Sequence, residues 1–284
     1  MGEILVDAIS TNMVTNLAQA KGFNMIAGGS AANFSRFLTR CNTEVKLVAS
    51  VGNDGFGQFL LHALAEEGVS TQYIAQQNTH PTSLIMVGKT TDTPDFIPYR
   101  GADKMIVDID EVLINDASVI HATAFALSKQ PAQASIMATF SKANSHNITI
   151  SIDWNYSEKI WDNHQAAQQI FAEIQQFKPI FKFSTDDVNR YLKTNLAIEA
   201  QLAFLDTIQA KAICLTCGSK GVYFKTSSSD WQHTAAQPIE VKDATGAGDA
   251  FWAGFMSQWI AEKSINECVK KGIETASLQL TGNW

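Results

Sequence analysis

The sequence predicts an α/β fold with a mostly parallel sheet, because short apolar runs alternate with longer amphipathic stretches along the chain. Strands that alternate with helices of about 10 to 15 residues are typical of βαβ units. The chain has 284 residues, a length that suits one α/β domain. We therefore expect a single domain over residues 1–284.

The elements of the parallel part can be predicted in chain order. Apolar runs predict strands at 45–51, 119–122, 148–152, 179–183 and 212–215. Amphipathic periodicity predicts helices at 56–67, 132–143, 166–177, 186–192 and 197–208. Polar residues follow three of the strands, namely Asp153, Ser184 and Thr216. These side chains should line one edge of the sheet, where open α/β folds bind ligands.

Two segments interrupt the alternation, at about 8–27 and 82–100, and both are rich in strand-forming residues. Within the second, two strand-like runs at 83–89 and 96–100 flank a turn at 90–95, a pattern that indicates a hairpin. We expect the two segments to form a small sheet over the active edge, which we call the lid.

Composition excludes several classes of protein. The net charge of −7 argues against a nucleic-acid or membrane-surface binder, which needs a basic face. No apolar run reaches the roughly 18 residues of a membrane span, and the N-terminus lacks the basic region of a signal peptide. A cytoplasmic protein with free thiols is expected, because no second pair completes a zinc site around its scattered cysteines: Cys41, Cys214, Cys217 and Cys268.

The strongest chemical signal is the stretch 243–251, which reads Asp-Ala-Thr-Gly-Ala-Gly-Asp-Ala-Phe. A turn of small residues leads there into a helix with an apolar face. We expect the backbone N–H groups of Gly246, Ala247 and Gly248 to be unpaired at the start of this helix. Such a terminus binds anions, because its free donors and the positive end of the helix dipole point the same way.

The carboxylate of Asp249 belongs to the same turn. An anion cradle beside a carboxylate suits the transfer of a phosphoryl group to a hydroxyl, since the donors hold the migrating charge and the carboxylate takes the proton. We expect a low pKa for Asp249 at a helix start, which a loose transition state tolerates. The plain alternative is an ordinary acidic residue after a glycine-rich turn.

A second turn of small residues, Gly28-Gly29-Ser30-Ala31-Ala32-Asn33, opens a helix near the N-terminus. Small residues let a ligand approach the backbone closely, and the Asn33 amide offers a donor and an acceptor to a hydroxyl. The alternative interpretation is a simple helix cap.

These stretches, taken together, resemble the ribokinase-like (PfkB) carbohydrate kinases, and most of all the fructokinase and 2-keto-3-deoxygluconate kinase types. The C-terminal stretch is similar to the family's catalytic signature, the Gly-Gly to Asn33 stretch to its sugar-binding element, and 99–103 to a lid sequence. The resemblance runs from Gly2 to about Ala276. It implies a three-layer α/β/α sandwich with a small β-sheet lid, and an ATP-dependent sugar kinase.

The resemblance also implies roles for individual residues. Catalysis falls to Asp249 as the base and to the amides of Gly246, Ala247 and Gly248. The sugar is expected to contact Asp7, Gly28, Gly29, Asn33 and Arg100. ATP is expected to contact Ser184, Thr216, Gly218 and Gly221.

Metal ions and a second subunit are also implied. Mg²⁺ arrives with ATP, and Asp187 is expected to act on it indirectly, through water. A monovalent cation, K⁺, at Asp243 and Thr245 is a hypothesis. The resemblance further implies a homodimer that forms through the lid. The sequence departs from the family at Ser157, where an arginine is usual, and at Ser184, where an asparagine is usual.

The choice of substrate stays open at this point. Fructose is favoured, and 2-keto-3-deoxygluconate is the alternative, whose carboxylate would need Arg100 and a second cation such as Lys104. Another sugar of the family, such as ribose, is a further alternative. A catalytically inactive sugar-binding regulator on the same fold is the hypothesis from another class.

Overall fold

The computed structural model describes residues 1–90, 95–107 and 109–284. Its strands, in chain order, are β1 (Leu5–Met13), β2 (Phe23–Gly28), β3 (Ala49–Gly52), β4 (Ile74–Gln77), β5 (Leu84–Lys89), β6 (Phe96–Tyr99), β7 (Val119–Thr123), β8 (Thr149–Asp153), β9 (Ile180–Ser184), β10 (Ala212–Thr216), β11 (Val222–Thr226) and β12 (Gln232–Thr234). Its α-helices are α1 (Ser30–Arg40), α2 (Gly55–Glu66), α3 (Glu111–Asn115), α4 (Ala132–Ser145), α5 (His164–Gln175), α6 (Thr185–Leu192), α7 (Ile198–Leu205), α8 (Ala247–Ile260) and α9 (Ile265–Thr281).

The main sheet has the strand order β12-β11-β10-β9-β8-β7. Strands β7 to β10 are parallel, whereas β11 and β12 are antiparallel to their neighbours. The register pairs Thr216 with Ser184, and Asp153 with both Lys182 and Thr123. The carboxyl ends of the parallel strands therefore meet at one edge, and the polar residues of that edge can act on one ligand.

Helices cover both faces of this sheet. On one face, α4 to α7 enclose a core rich in aromatic side chains, including the fully buried Trp154. On the other face, α1, α8 and α9 pack around Trp252 and Phe255. The predicted three-layer α/β/α sandwich is confirmed.

A second sheet has the strand order β2-β1-β5-β6. Strand β1 is antiparallel to β2 and parallel to β5, and β6 returns antiparallel to β5. These strands fall within or next to the two segments predicted for the lid, although part of the predicted turn, 91–94, lies outside the described residues. Because β2 ends at Gly28, the sheet leads directly into α1. Closure of this sheet over a substrate stays a prediction.

The strand predicted at 45–51 is wrong in its first half. Regular pairing begins only at Ala49, where β3 joins β4 in a separate two-stranded sheet. Residues 44–48 instead border a cavity of about 390 Å³ that separates them from β7. The backbone N–H of Gly2 donates to the carbonyl of Val48 at 3.1 Å, but a single bond does not make a ladder. An apolar run forms a strand only where a neighbouring strand is available to pair with it.

Two further expectations concern membranes and thiols. Within the described residues, none of the helices has the combination of length and apolarity that spanning a bilayer requires. All four cysteines are free. Burial raises the pKa of the Cys214 thiol well above its usual range, so that this thiol is protonated and unreactive.

Candidate active site

Helix α8 begins as an anion cradle. Its N-cap, Gly246, adopts a left-handed conformation (φ 72°, ψ 5°), which glycine reaches without strain. In the described part of the chain, the amides of Gly246, Gly248 and Asp249 donate to no protein acceptor, whereas Ala247 donates to Ala244 at 3.3 Å. The expectation that all three amides are unpaired is therefore wrong for Ala247, and the Asp249 amide is unpaired in addition to the two glycine amides within the described residues.

The carboxylate of Asp249 is held by the first turn of α1. The Ser30 hydroxyl donates to its Oδ1, and the Asn33 side-chain amide donates to its Oδ2 at 3.0 Å. Helix α1 can approach this closely because Gly29 (φ 100°) precedes it, and a Cβ there would lie 2.5 Å from the Glu3 carbonyl oxygen. The N-termini of α1 and α8 thus converge on one carboxylate.

The pKa of Asp249 is raised, whereas a low pKa was expected. Burial and the nearby Asp153 carboxylate raise it to about 6, although Ser30, Lys182 and Asn33 partly offset that effect. The helix dipole at this position is outweighed by desolvation and by a like charge. A carboxyl group with a pKa near 6 is largely ionised at neutral pH and is a stronger base than an ordinary aspartate.

Asp7, on strand β1, lies beside Asp249. Burial and the charge of Asp249 raise the pKa of Asp7 to about 7, and Arg36 acts in the opposite direction. The end of β2 makes room for Asp7, because a Cβ on Gly28 would lie 1.9 Å from the Asp7 Oδ2 atom. The structure thus brings together Asp7, Gly28, Asn33 and Asp249, all of which the sequence analysis selected.

This crowding predicts that Gly28→Ala displaces the Asp7 carboxylate. We expect KM for the sugar to rise about 10- to 100-fold, because losing a hydrogen bond to a charged group costs about 1.5–3 kcal/mol. KM for ATP should change little. Steady-state kinetics with each substrate varied in turn measures both constants.

Gly22→Ala is the matched control, since its Cβ would meet only Thr11, at 3.4 Å. Equal sugar KM values for the two variants would contradict the assignment of Asp7 to the sugar.

Glu3 is a further residue of the site, for which no role was predicted. Its buried carboxylate accepts from the Ser30 amide at 3.0 Å and from the Thr123 hydroxyl at 2.7 Å. Burial raises its pKa to about 7. Glu3 therefore caps α1 in place of Gly29, which has no side chain to do so.

Lys182 and Asp153 form a buried ion pair under the cradle. The ammonium lies 2.8 Å from each carboxylate oxygen of Asp153. Burial favours the neutral amine, but Asp153 and Asp187 outweigh that effect and raise the pKa of Lys182. A Cβ on Gly248 would lie 3.1 Å from the Lys182 Nζ atom, so this charge lies against the first turn of α8. A lysine within the apolar run 180–183 was the signal that could have revealed it.

Ser184 and Asp187, both expected on the ATP side, bind each other. The Ser184 hydroxyl donates to the Asp187 Oδ2 atom at 2.6 Å and accepts from the Asp187 amide at 3.1 Å. They form the capping box that starts α6. Burial raises the pKa of Asp187 to about 6. The water-mediated contact of Asp187 with Mg²⁺ stays a prediction.

The other residues expected to contact ATP lie at the end of β10. The Thr216 hydroxyl donates to the Phe183 carbonyl at 3.2 Å. Gly218 and Gly221 have left-handed conformations (φ 55° and 93°), and a Cβ on Gly221 would lie 2.1 Å from the Thr234 carbonyl oxygen. This turn lies at the same sheet edge as Ser184, and its contact with the nucleotide stays a prediction.

Arg100 is bound inside the protein, contrary to the expected sugar contact. Its Nε donates to Asp103 at 2.7 Å and its Nη1 to Ser128 at 2.9 Å, while the guanidinium stacks 3.9 Å from the Phe125 ring centre. Only 7% of the side chain is exposed. The structure thus gives the guanidinium a packing role beneath the lid, with little capacity left for a sugar hydroxyl.

The hypothetical cation residues form an exposed turn. The Asp243 carboxylate accepts from the Thr245 amide at 2.8 Å, and the Thr245 carbonyl accepts from Gln279 at 3.0 Å. Over the described residues, no group of three or more His, Cys, Asp or Glu side chains could hold a metal ion. A K⁺ ion at this turn stays a prediction.

The chain is similar to known carbohydrate kinases over its whole length. The model of the pfkB family of carbohydrate kinases matches residues 1–283. The chain is 29% identical over 282 residues to the ATP-dependent 6-phosphofructokinase of Thermoanaerobacterium thermosaccharolyticum, covering 99% of this chain and 86% of that protein. It is 27% identical over 274 residues to probable fructokinase-2 of Arabidopsis thaliana, covering 94% and 82%.

Solved structures are similar as well. The fructokinase of Halothermothrix orenii superposes with a TM-score of 0.83 at 29% identity, covering 97% of this chain and 96% of that one. A sugar kinase of Pyrococcus horikoshii in complex with ATP also gives 0.83, at 22% identity, covering 98% and 90%. At 22% identity the second likeness concerns the fold alone.

Proposed function

Because the chain belongs to the pfkB family of carbohydrate kinases and is an ATP-dependent sugar kinase, we propose that it phosphorylates a hydroxymethyl group of fructose. The observation that carries this proposal is the convergence of two helix N-termini on the Asp249 carboxylate, with free amides beside it. Similarity to fructokinases at 27–29% identity supports fructose as the acceptor.

The residues suggest the following steps. Asp7 and Asn33 orient the sugar so that one hydroxymethyl group faces Asp249, which takes the hydroxyl proton as the oxygen attacks the γ-phosphorus of ATP. The bond from that phosphorus to the oxygen it shares with the β-phosphate breaks, and ADP leaves. The amides of Gly246 and Gly248 hold the negative charge on the transferring group. By analogy with oxyanion holes, each lost donor would cost about 3–4 kcal/mol of the barrier. Mg²⁺, when bound with ATP, neutralises charge on the phosphates.

The charges around Asp7 favour a neutral sugar over an anionic one. Three carboxyl groups with raised pKa values, Glu3, Asp7 and Asp249, lie together there. A carboxylate or phosphate on the substrate would need a free cation, and Arg100 is already paired with Asp103. Fructose, which carries no charge, therefore fits this site better than 2-keto-3-deoxygluconate. Fructose 6-phosphate is the second candidate, because a 6-phosphofructokinase is 29% identical to the chain.

A coupled assay of ADP release tests the proposal with fructose, ribose, 2-keto-3-deoxygluconate and fructose 6-phosphate, and without sugar. We expect the highest kcat/KM with fructose. A higher value with fructose 6-phosphate would replace the proposed substrate with the second candidate. Sugar binding by calorimetry without turnover on any sugar would support the inactive regulator and contradict the proposal.

The raised pKa of the base predicts an acid limb in the pH dependence of kcat/KM. We expect the rate to fall about tenfold per pH unit below about pH 6, because protonated Asp249 cannot accept the hydroxyl proton. Asp7 titrates close by, so the limb belongs to the coupled pair. Initial rates from pH 5 to 9 at constant ionic strength measure it. A limb near pH 4 would show an unperturbed carboxyl group and contradict the geometry.

We also propose that two copies associate through the lid, in the cytoplasm that the free thiols and ATP suggest. Three apolar side chains on one face of the lid sheet are 43–58% exposed: Met25, Ile97 and Tyr99. Exposed apolar patches of this kind mark interaction sites. Light scattering should give the mass of a dimer for the wild type and of a monomer for Met25→Lys. A monomeric wild type would contradict this arrangement.

A further inference from the structure

Arg36 lies between the lid and the candidate base. It follows Asn33 by one turn of α1, and its Nη1 donates to the Asn33 side-chain oxygen at 3.1 Å and to the Ala27 carbonyl on β2 at 3.0 Å. Its Nε is buried and has no hydrogen-bond partner among the described residues. Burial lowers the pKa of Arg36, yet a guanidinium keeps its charge in proteins. A buried charge with an unpaired donor lowers the stability of the fold. We therefore expect Arg36 to have a function that offsets this loss.

The bond to Arg36 fixes which way the Asn33 amide points. A guanidinium only donates hydrogen bonds, so the atom that faces it must be the amide oxygen. The amide nitrogen must then face the other way, where it donates to the Asp249 Oδ2 atom at 3.0 Å. Without Arg36, the carboxylate still selects the amide nitrogen, but no donor holds the oxygen end of the Asn33 side chain, so the amide is free to tilt away from Asp249.

The charge of Arg36 also acts on the carboxylates of the site. It favours the ionised form of Asp7 and thereby lowers the pKa of that carboxyl group against the effect of burial. Five further charged groups act on the two carboxylates or on Arg36 itself. Three are anions and two are cations: Glu3, Asp153 and Glu67, and Lys182 and Arg40. Arg36 is therefore one of few positive charges among several negative ones.

We propose that Arg36 is a positioning residue for phosphoryl transfer, which holds the Asn33 side chain in place and puts a positive charge beside Asp7 and Asp249. The inference rests on the proposed role of Asp249 as the base. It also connects the lid to the base, because the same guanidinium holds the Ala27 carbonyl on β2.

The test compares three variants by the pH dependence of kcat/KM and by the sugar KM. In Arg36→Met we expect the acid limb to move up by about one pH unit, as loss of a nearby opposite charge commonly produces, and the sugar KM to rise severalfold. Arg36→Lys keeps the positive charge, so the acid limb should stay at its wild-type pH. The sugar KM of Arg36→Lys should still be raised, because a lysine ammonium lacks the planar guanidinium that binds both Ala27 and Asn33. Lys225→Met, whose native side chain pairs with Asp206 at the surface, is the control and should leave both unchanged.

Wild-type limb and sugar KM in a folded Arg36→Met variant would overturn the inference. If Arg36→Met does not fold, Arg36→Lys decides: a raised sugar KM with a wild-type limb supports the inference, and an unchanged KM overturns it. Asp249→Asn is measured in parallel. Turnover in Asp249→Asn contradicts the proposed base, whereas its inactivity beside a wild-type-like Arg36→Met contradicts the role of Arg36 alone.

Discussion

Replacement of Asp249 by asparagine is expected to lower kcat by about 10²- to 10⁴-fold, the usual contribution of a positioned general base. The amide is nearly isosteric with the carboxylate, so the N-termini of α1 and α8 should still meet. Sugar binding should change little, because Asp7 and Asn33 remain in place. Steady-state kinetics gives kcat, and calorimetry with sugar alone gives the Kd.

The control for this variant is Asp162→Asn, which removes an exposed carboxylate that pairs with Lys129 at the surface. Its kinetics should match the wild type. Turnover near the wild-type rate in Asp249→Asn would remove the base from the proposed reaction. A sugar Kd raised as strongly as kcat is lowered would instead make Asp249 a sugar ligand.

Replacement of Lys182 by methionine is expected to have the largest effect on stability. Its side chain is 5% exposed, and its removal leaves the Asp153 carboxylate buried without its partner. Breaking a buried ion pair on one side costs about 3–5 kcal/mol. Urea unfolding followed by circular dichroism measures the free energy of unfolding.

The double variant Lys182→Met, Asp153→Asn removes both charges of the pair and should recover most of the lost stability, because the Asp153 carboxylate no longer stays buried without its partner. Lys225→Met, which breaks the surface pair with Asp206, is the control and should cost no more than about 1 kcal/mol. A loss of similar size in Lys182→Met and Lys225→Met would show that the buried pair does not matter for stability.

The sequence predicts the fold class and much of the site because local patterns carry both. Alternation of strands and helices determines the parallel sheet, and the glycine-rich turns at 28–33 and 243–251 start the two helices that meet at Asp249. The strand predicted at 45–51 was too long, since strand formation also requires a partner that no local pattern reveals.

The electrostatics of the site could not be predicted from the sequence, because they depend on groups far apart in the chain. A low pKa was expected for Asp249 from its helix alone, whereas burial and Asp153, from another strand, raise it to about 6. No role was predicted for Glu3 or Arg36 either. Their roles appear only when the start of the chain, the lid and α1 come together.

The most direct measurement of the central claim is the position of the phosphate in the product. Fructose labelled with ¹³C is incubated with the wild-type protein and ATP, and carbon–phosphorus coupling in the NMR spectrum identifies the esterified carbon. We predict one phosphate on a hydroxymethyl carbon, formed at the same rate as ADP and absent with Asp249→Asn. Release of inorganic phosphate alone, or an ester on a secondary hydroxyl, would contradict the proposed transfer.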